Sequence, residues 1–221
     1  ECEAILQRAT ELKRNIKSGY HTPLLAGKSL AMIFEKPSLR TRVTFEIGMK
    51  QLGGATVYLT PADIQLSQRE SVPDIARNLD RWVDIIMART FDHGTLEAMA
   101  EHTAAPVING LSNVSHPCQV MTDCLTLLEH FGHLDGLRVV FIGDGNNMVH
   151  SWMNAAAHFD IDFVLACPPG YEGDARVREQ AQKAGATITV THDVAAAAHD
   201  ADMLYTDVWT SMGQELSLIH I

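Results

Sequence analysis

The sequence predicts an α/β protein of two doubly wound parallel-sheet domains, residues 1–131 and 132–221, the second incomplete. Three observations carry this. Short apolar runs alternate with segments whose apolar residues recur at helical spacing, the pattern of parallel strands joined by helical crossovers. Polar and cationic residues gather just after those runs, where open parallel sheets hold their ligands. The alternation restarts after the short polar joint Gly132-His-Leu-Asp-Gly136.

The elements follow in order. Ile5, Leu6, Ala9, Leu12 and Ile16 recur at helical spacing, and Gly19 supplies the C-terminal stop. Ser29–Phe34 is a short apolar run and reads as a buried strand. A helix is expected over 41–52, turning Phe45, Met49 and Leu52 inward and ended by Gly53-Gly54. Ala55–Leu59 is the second strand, and the polar residues 61–70 read as a loop. Ser71-Val-Pro-Asp74 has the form of a capping box and opens a helix to about Arg81. Val83–Ala88 is a strand, 95–102 a helix and Val107-Ile108 a short strand. Pro117 suits the first position of a helix whose apolar face is Val120, Cys124, Leu127, Leu128 and Phe131. After the joint come strand 137–142, helix 147–159, strand 161–166, helix 174–184, strand 187–190, helix 194–198 and strand 203–206. The chain then stops at Leu216-Ser-Leu-Ile-His-Ile221, before a doubly wound half would be complete. A fragment is expected, and whether residues 216–221 belong to the native protein is left open.

Composition narrows the function. With 46% hydrophobic and 20% charged residues, the chain has the balance of a soluble globular protein with a real core. A net charge of −10 argues against nucleic acid as the main partner, because phosphate backbones need a basic face. No apolar run approaches the ~18 residues of a membrane span. The opening residues read as an amphipathic helix, not a signal peptide. Four scattered cysteines without a C-x-x-C pair suit a reducing, cytoplasmic compartment. His130 and His133 lie three apart, but Gly132 interrupts them, so a solvated helix end is favoured over zinc and no metal is expected.

The densest chemistry lies in Phe34-Glu-Lys-Pro-Ser-Leu-Arg-Thr-Arg-Val-Thr-Phe-Glu46. Ser38 and Thr41 offer hydroxyls and Arg40 and Arg42 offer guanidiniums where a strand hands over to a helix. A helix start presents unpaired N–H groups and the positive end of its dipole, and Arg matches phosphate oxygens with a planar fork. The segment reads as a phosphate cradle, though it lacks the glycines and lysine of a nucleotide P-loop. Other strand ends add Arg89, then His116 and Gln119, then Gly143-Asp-Gly-Asn-Asn147, then Asp207-Val-Trp-Thr-Ser-Met-Gly213. The first domain's donors suit an anion, and Asp207 suits a cationic ligand. Blander readings stand beside these. Ser38 could simply cap its helix, Arg89 could be a surface residue, and His116 could pack on the helix start. Asp144, Asn146 and Asn147 could be turn formers, and Asp207 a loop cap. A dinucleotide site at Gly143 lacks its third glycine, since Met148 stands there.

Ser38-Leu-Arg-Thr-Arg42 is similar to the carbamoyl-phosphate motif of the aspartate/ornithine carbamoyltransferase family. His116-Pro-Cys-Gln119 resembles the family's second motif, Gly143-Asp-Gly-Asn-Asn147 its ornithine-side turn, and Asp207-Val-Trp-Thr-Ser-Met-Gly213 its ornithine loop. Order and spacing fit up to about Glu215. The resemblance implies transfer of a carbamoyl group from carbamoyl phosphate to the δ-amine of L-ornithine, giving citrulline, with no cofactor. It implies that Ser38, Arg40, Thr41 and the Leu39 backbone N–H hold the phosphate, joined by Gln65 in a loop lent to a neighbouring subunit. Arg89, His116 and Thr41 would polarise the carbamoyl oxygen, and Gln119 would bind the carbamoyl amide. Asn147, Asp207, Ser211 and Met212 would bind ornithine. A homotrimer working in arginine metabolism is implied, with neither nucleic acid nor membrane as partner. Three departures stand out: Leu39 where many members carry a hydroxyl residue, Ile75 in place of a commoner Thr, and a Cys-Leu-Pro loop that none of the four cysteines matches. The competing readings are a carbamoyltransferase for aspartate or putrescine, a non-catalytic anion-binding module of the same fold, and a nicotinamide oxidoreductase.

Overall fold

A computed structural model describes residues 1–64 and 70–207. The chain divides into two compact units between Cys118 and Gln119, with Cys2 grouped in the second.

The first unit runs α1 (Cys2–Lys17), β1 (Ser29–Phe34), α2 (Leu39–Gln51), β2 (Ala55–Leu59), α3 (Pro61–Ile64), α4 (Val72–Leu79), β3 (Ile85–Arg89), α5 (His93–Glu101) and β4 (Val107–Leu111). Its four strands are all parallel, in the order β2-β1-β3-β4. The twofold alternation of strand side chains builds both layers at once. Ala31, Ile33, Ile86 and Ala88 face one side, against Ile75, Ala76 and Leu79 of α4 and Leu96 and Met99 of α5. Leu30, Met32, Phe34 and Met87 face the other, where Met49 of α2 covers them. Ile75, for which the family resemblance offers no role, is thus a buried core residue.

Three local differences from the sequence reading have physical causes. The third strand starts at Ile85, not Val83. The carboxylate of Asp84 turns out of the ladder to accept from the Ser29 N–H at 2.8 Å and from Lys28 at 2.7 Å. The fourth strand continues through Asn109 and Gly110 to Leu111, with a register shift opposite Ala88 and Arg89. A single helical turn, Pro61–Ile64, replaces the start of the expected loop; the Asp63 carboxylate accepts from the Thr60 N–H at 2.7 Å and from its hydroxyl at 2.6 Å. Ser71 caps its helix as read, its Oγ accepting from the Asp74 N–H at 3.3 Å and donating to the Asp74 carboxylate at 2.7 Å, and the helix ends at Leu79, short of Arg81.

α6 (Pro117–Phe131) begins at the division. The second unit continues with β5 (Arg138–Ile142), α7 (Asn147–Phe159), β6 (Asp162–Ala166), α8 (Ala175–Lys183), β7 (Thr187–Thr191), α9 (Val194–Ala198) and β8 (Met203–Tyr205). Its strands are also parallel, in the order β7-β6-β5-β8. Trp152 of α7 is fully buried, stacked over Phe163 and edge-on to Tyr205, while Tyr205 stacks on Phe141. Val140, Val164 and Ala166 point the opposite way, toward Ala197 of α9. Both units therefore have helices on both faces of a parallel sheet, the doubly wound arrangement the sequence predicts. Among the described residues no helix is long and apolar enough to cross a membrane.

Candidate active site

In the first unit the candidate side chains collect at the carboxyl ends of β1 and β3, which are adjacent. Phe34 and Arg89 are register partners, and the Arg89 carbonyl accepts from the Glu35 N–H at 2.9 Å. Ser38 has extended backbone and caps α2, accepting from the Thr41 N–H at 3.4 Å. Its hydroxyl donates to Thr41 Oγ1 at 3.0 Å. Arg89 reaches across from β3 and donates through Nη1 to the same Thr41 oxygen at 3.4 Å. No acid occupies the first turn of α2, so nothing there competes with an incoming anion.

Arg89 sets the electrostatics. It closes β3 instead of following it and is only 6% exposed. Its Nε is buried without a hydrogen-bond partner among the described residues. Burial first, and then the charge of Arg40, hold its pKa below the ordinary arginine range. Lys36 is pushed down too, by burial and then by Arg89, with Glu35 opposing, while its ammonium lies 4.4 Å from the Phe91 ring centroid. His116 is held down to about 4, by burial first and by the Arg89 charge second, so its imidazole is neutral at pH 7. Ser38, Thr41 and Arg89 are therefore hydrogen-bonded together, and Arg40 and His116 each interact with Arg89.

Arg42 turns elsewhere. Its guanidinium stacks 3.8 Å above the Tyr58 ring centroid on β2 and donates to Glu46 at 2.9 Å. The Leu39 side chain is 79% exposed, leaving only backbone to serve a ligand. Lys36 was missed by sequence reading. Its place two residues after a strand, inside the phosphate-like segment, was the available signal.

The depressed His116 value fixes the sign of a pH effect. Unfolding returns the imidazole to its ordinary value near 6.5, so between about pH 4 and 6.5 the unfolded chain binds the extra proton. The contribution of His116 to stability is complete above pH 6.5 and is lost as pH falls toward 4. Chemical denaturation across that window is expected to show a shallower loss for His116→Gln than for the parent chain.

In the second unit, Gly143 follows β5, and Asn146 caps α7 by accepting from the Met148 and Val149 N–H groups. The other end of the same amide donates to Asp207 at 3.2 Å. Asn147, the residue singled out in the sequence, begins α7, and its carbonyl accepts from Ser151 Oγ at 2.7 Å. The turn is locked by a close backbone crossing. The Gly145 N–H donates to the Tyr171 carbonyl at 2.7 Å, and a Cβ at Gly145 would fall 2.2 Å from Gly173 N. Gln119 stands in the first turn of α6, where its Nε2 donates to Asp123 Oδ1 at 2.9 Å. Asp123 carried no signal in the sequence beyond its i+4 spacing from Gln119. Gln65, Ser211 and Met212 lie outside the described residues.

Two parallel α/β units, the first with a hydroxyl-lined cationic strand end, define a class of protein built to hold a small anion. The chain belongs to the aspartate/ornithine carbamoyltransferase family: residues 1–129 match the model of its carbamoyl-P binding domain and residues 135–219 that of its Asp/Orn binding domain. It is similar to ornithine carbamoyltransferases. It is 51% identical to the chloroplastic enzyme of Pisum sativum, over 96% of this chain and 57% of that protein. It is 51% identical to the enzyme of Carboxydothermus hydrogenoformans, over 97% of this chain and 70% of that one. The solved structure of the Pyrococcus furiosus enzyme superposes with a TM-score of 0.93 at 48% identity, over 97% of this chain and 70% of that chain. The chain thus spans a little over half to about two thirds of the relatives it matches.

Proposed function

We propose that this chain transfers the carbamoyl group of carbamoyl phosphate to the δ-amine of L-ornithine, releasing L-citrulline and phosphate. The observation that carries the proposal is the Ser38–Thr41–Arg89 hydrogen-bonded set, with Arg40, Lys36 and His116 within electrostatic reach of Arg89. Cations that depress one another, set beside hydroxyls and a helix start, suit a phosphate dianion. Ser38, Arg40, Thr41 and the Leu39 backbone N–H hold that phosphate, with Gln65 in support. Arg89, His116 and Thr41 polarise the carbamoyl oxygen, and Gln119 takes the carbamoyl amide. Asn147, Asp207, Ser211 and Met212 take ornithine, with Asp207 suited to its α-ammonium.

The chemistry follows from the charges. The attacking amine must be neutral, and with a pKa like that of lysine only about one molecule in 10³ is neutral at pH 7. Cationic surroundings disfavour the ammonium and lower that barrier. The nitrogen lone pair forms the C–N bond while charge builds on the carbamoyl oxygen. A neutral His116 can still donate one N–H there, beside the Arg89 and Thr41 donors. Each such donor is worth about 3–4 kcal/mol of barrier. The C–O bond to phosphate then breaks, and the leaving phosphate accepts the amine proton, so no protein base is needed.

The functional division falls at 131/132 in this reading. The assembly is a homotrimer, an arrangement supported by Leu39, Val43 and Ile47, which leave an apolar stripe of α2 exposed at helical spacing. The setting is cytoplasmic arginine metabolism. An amine screen with carbamoyl phosphate tests the activity. Citrulline is expected at a rate at least about a hundredfold above carbamoyl-aspartate or carbamoyl-putrescine. Preference for another amine would move the chain to a different branch of the family. Carbamoyl-phosphate binding without turnover of any amine would favour the anion-binding module.

A further inference from the structure

We propose that Asp123 is a positioning residue that fixes the amide orientation of Gln119, so that Gln119 Oε1 is presented as an acceptor for the –NH2 of the carbamoyl group. The inference rests on the assignment of Gln119 to that group made above. A glutamine amide has two nearly isosteric ends, one a double donor and one an acceptor, and a carbamoyl –NH2 can be recognised only by the acceptor. Left to itself the amide would sample both orientations. The 2.9 Å bond from Nε2 to Asp123 Oδ1 removes the choice, because an ionised carboxylate accepts and never donates. The i,i+4 spacing on α6 places the two side chains on one face of the helix.

Asp123 is itself held from behind. Burial raises its pKa, while Gln119 and the Tyr205 hydroxyl draw it back down. Among the described residues no hydrogen bond of full geometry reaches its buried Oδ2. Burial, followed by the Asp123 charge, pushes the Tyr205 phenol up, and it stays protonated beside the carboxylate. The Tyr205 ring is clamped between Phe141 and Trp152, which gives the carboxylate a rigid backing. A half-buried carboxylate whose better-satisfied oxygen serves one glutamine is a costly arrangement for structure alone.

The test compares two ligands that differ at one group. Acetyl phosphate carries a methyl where carbamoyl phosphate carries –NH2, so the ratio of their dissociation constants, measured by calorimetry on the whole chain, reads the amide contact alone. The parent chain is expected to favour carbamoyl phosphate. Asp123→Leu, which keeps the volume but removes the acceptor, should lower that preference about tenfold while leaving acetyl-phosphate affinity within about twofold. Asp123→Asn, whose amide can present either a donor or an acceptor to Gln119, should restore only part of it. Should the leucine variant not fold, Asp123→Ala serves instead. A purely structural Asp123 would weaken both ligands alike, and an unchanged ratio in a folded variant overturns the proposal. A parent chain that binds both ligands equally overturns the Gln119 assignment beneath it, which separates the two failures.

Discussion

Arg89→Met is expected to weaken carbamoyl phosphate by at least about a hundredfold, and inorganic phosphate, which has no carbamoyl oxygen, by less, without cost to the fold. Removing a charged hydrogen-bond donor from a bound anion accounts for about 3 kcal/mol. The stability side is less intuitive. In the ligand-free chain Arg89 is a nearly buried cation, and the influences on its ionisation are burial and the Arg40 charge, both unfavourable. Among the described residues its Nε has no partner, and its side chain makes one hydrogen bond, to Thr41, which is long, at 3.4 Å. An unbranched apolar side chain of similar length fits the same channel and sheds these costs, so a gain of about 1 kcal/mol is expected. Calorimetry for the ligands and urea denaturation for the fold check the two halves separately. A variant that binds carbamoyl phosphate normally would remove Arg89 from the site. A variant that loses stability would show that its charge is compensated.

The second large effect lies in the other unit. Gly145→Ala is expected to destabilise that unit by about 2–4 kcal/mol, the range for overpacking and strain where nothing can yield. The new Cβ would meet Gly173 N at 2.2 Å, Gly173 Cα at 2.4 Å and the Glu172 carbonyl carbon at 2.7 Å, all of it backbone. The segment it would push against is itself pinned, since the Asp174 N–H donates to His150 Nε2 at 2.9 Å. Displacing the turn also displaces Asn146, and with it the hydrogen bond that holds Asp207. Phosphate affinity should survive, because Ser38, Arg40, Thr41 and Arg89 belong to the first unit. Denaturation followed by a tryptophan signal from Trp152 and a parallel phosphate titration would show the split. A variant of undiminished stability would mean that the two turns can separate cheaply.

How much of this was readable beforehand varies with range along the chain. Strands Ser29–Phe34 and Ala55–Leu59 and helices 147–159 and 194–198 were read to the residue, because apolar pattern and flanking turn residues agree there. The third strand was misplaced because Val83 looks like a strand residue, and only the pairing of Asp84 with Ser29 and Lys28, far back in the chain, excludes it. That shift matters, since it turns Arg89 from a loop residue into a buried one. The Ser38–Thr41 pair was legible as a local helix cap. The diversion of Arg42 was not, because Tyr58 supplies the platform from another strand and sequence spacing says nothing of it. The same holds for Asp123 and Tyr205, which meet only once the second sheet has formed. Asn146 and Asn147 were both visible, but which of the two would face Asp207 depends on where α7 begins.

The crowding of positive charge at the first sheet edge has a practical side. A sulfate, phosphate or comparable buffer ion that settles beside Arg89 and its neighbours Lys36 and Arg40 would add to the free energy of the folded state through mass action. At a hundred times its dissociation constant such an ion contributes about 2.7 kcal/mol. Heat resistance measured for this chain is therefore partly a property of the solution, and melting points taken in phosphate and in chloride buffers describe two different reference states.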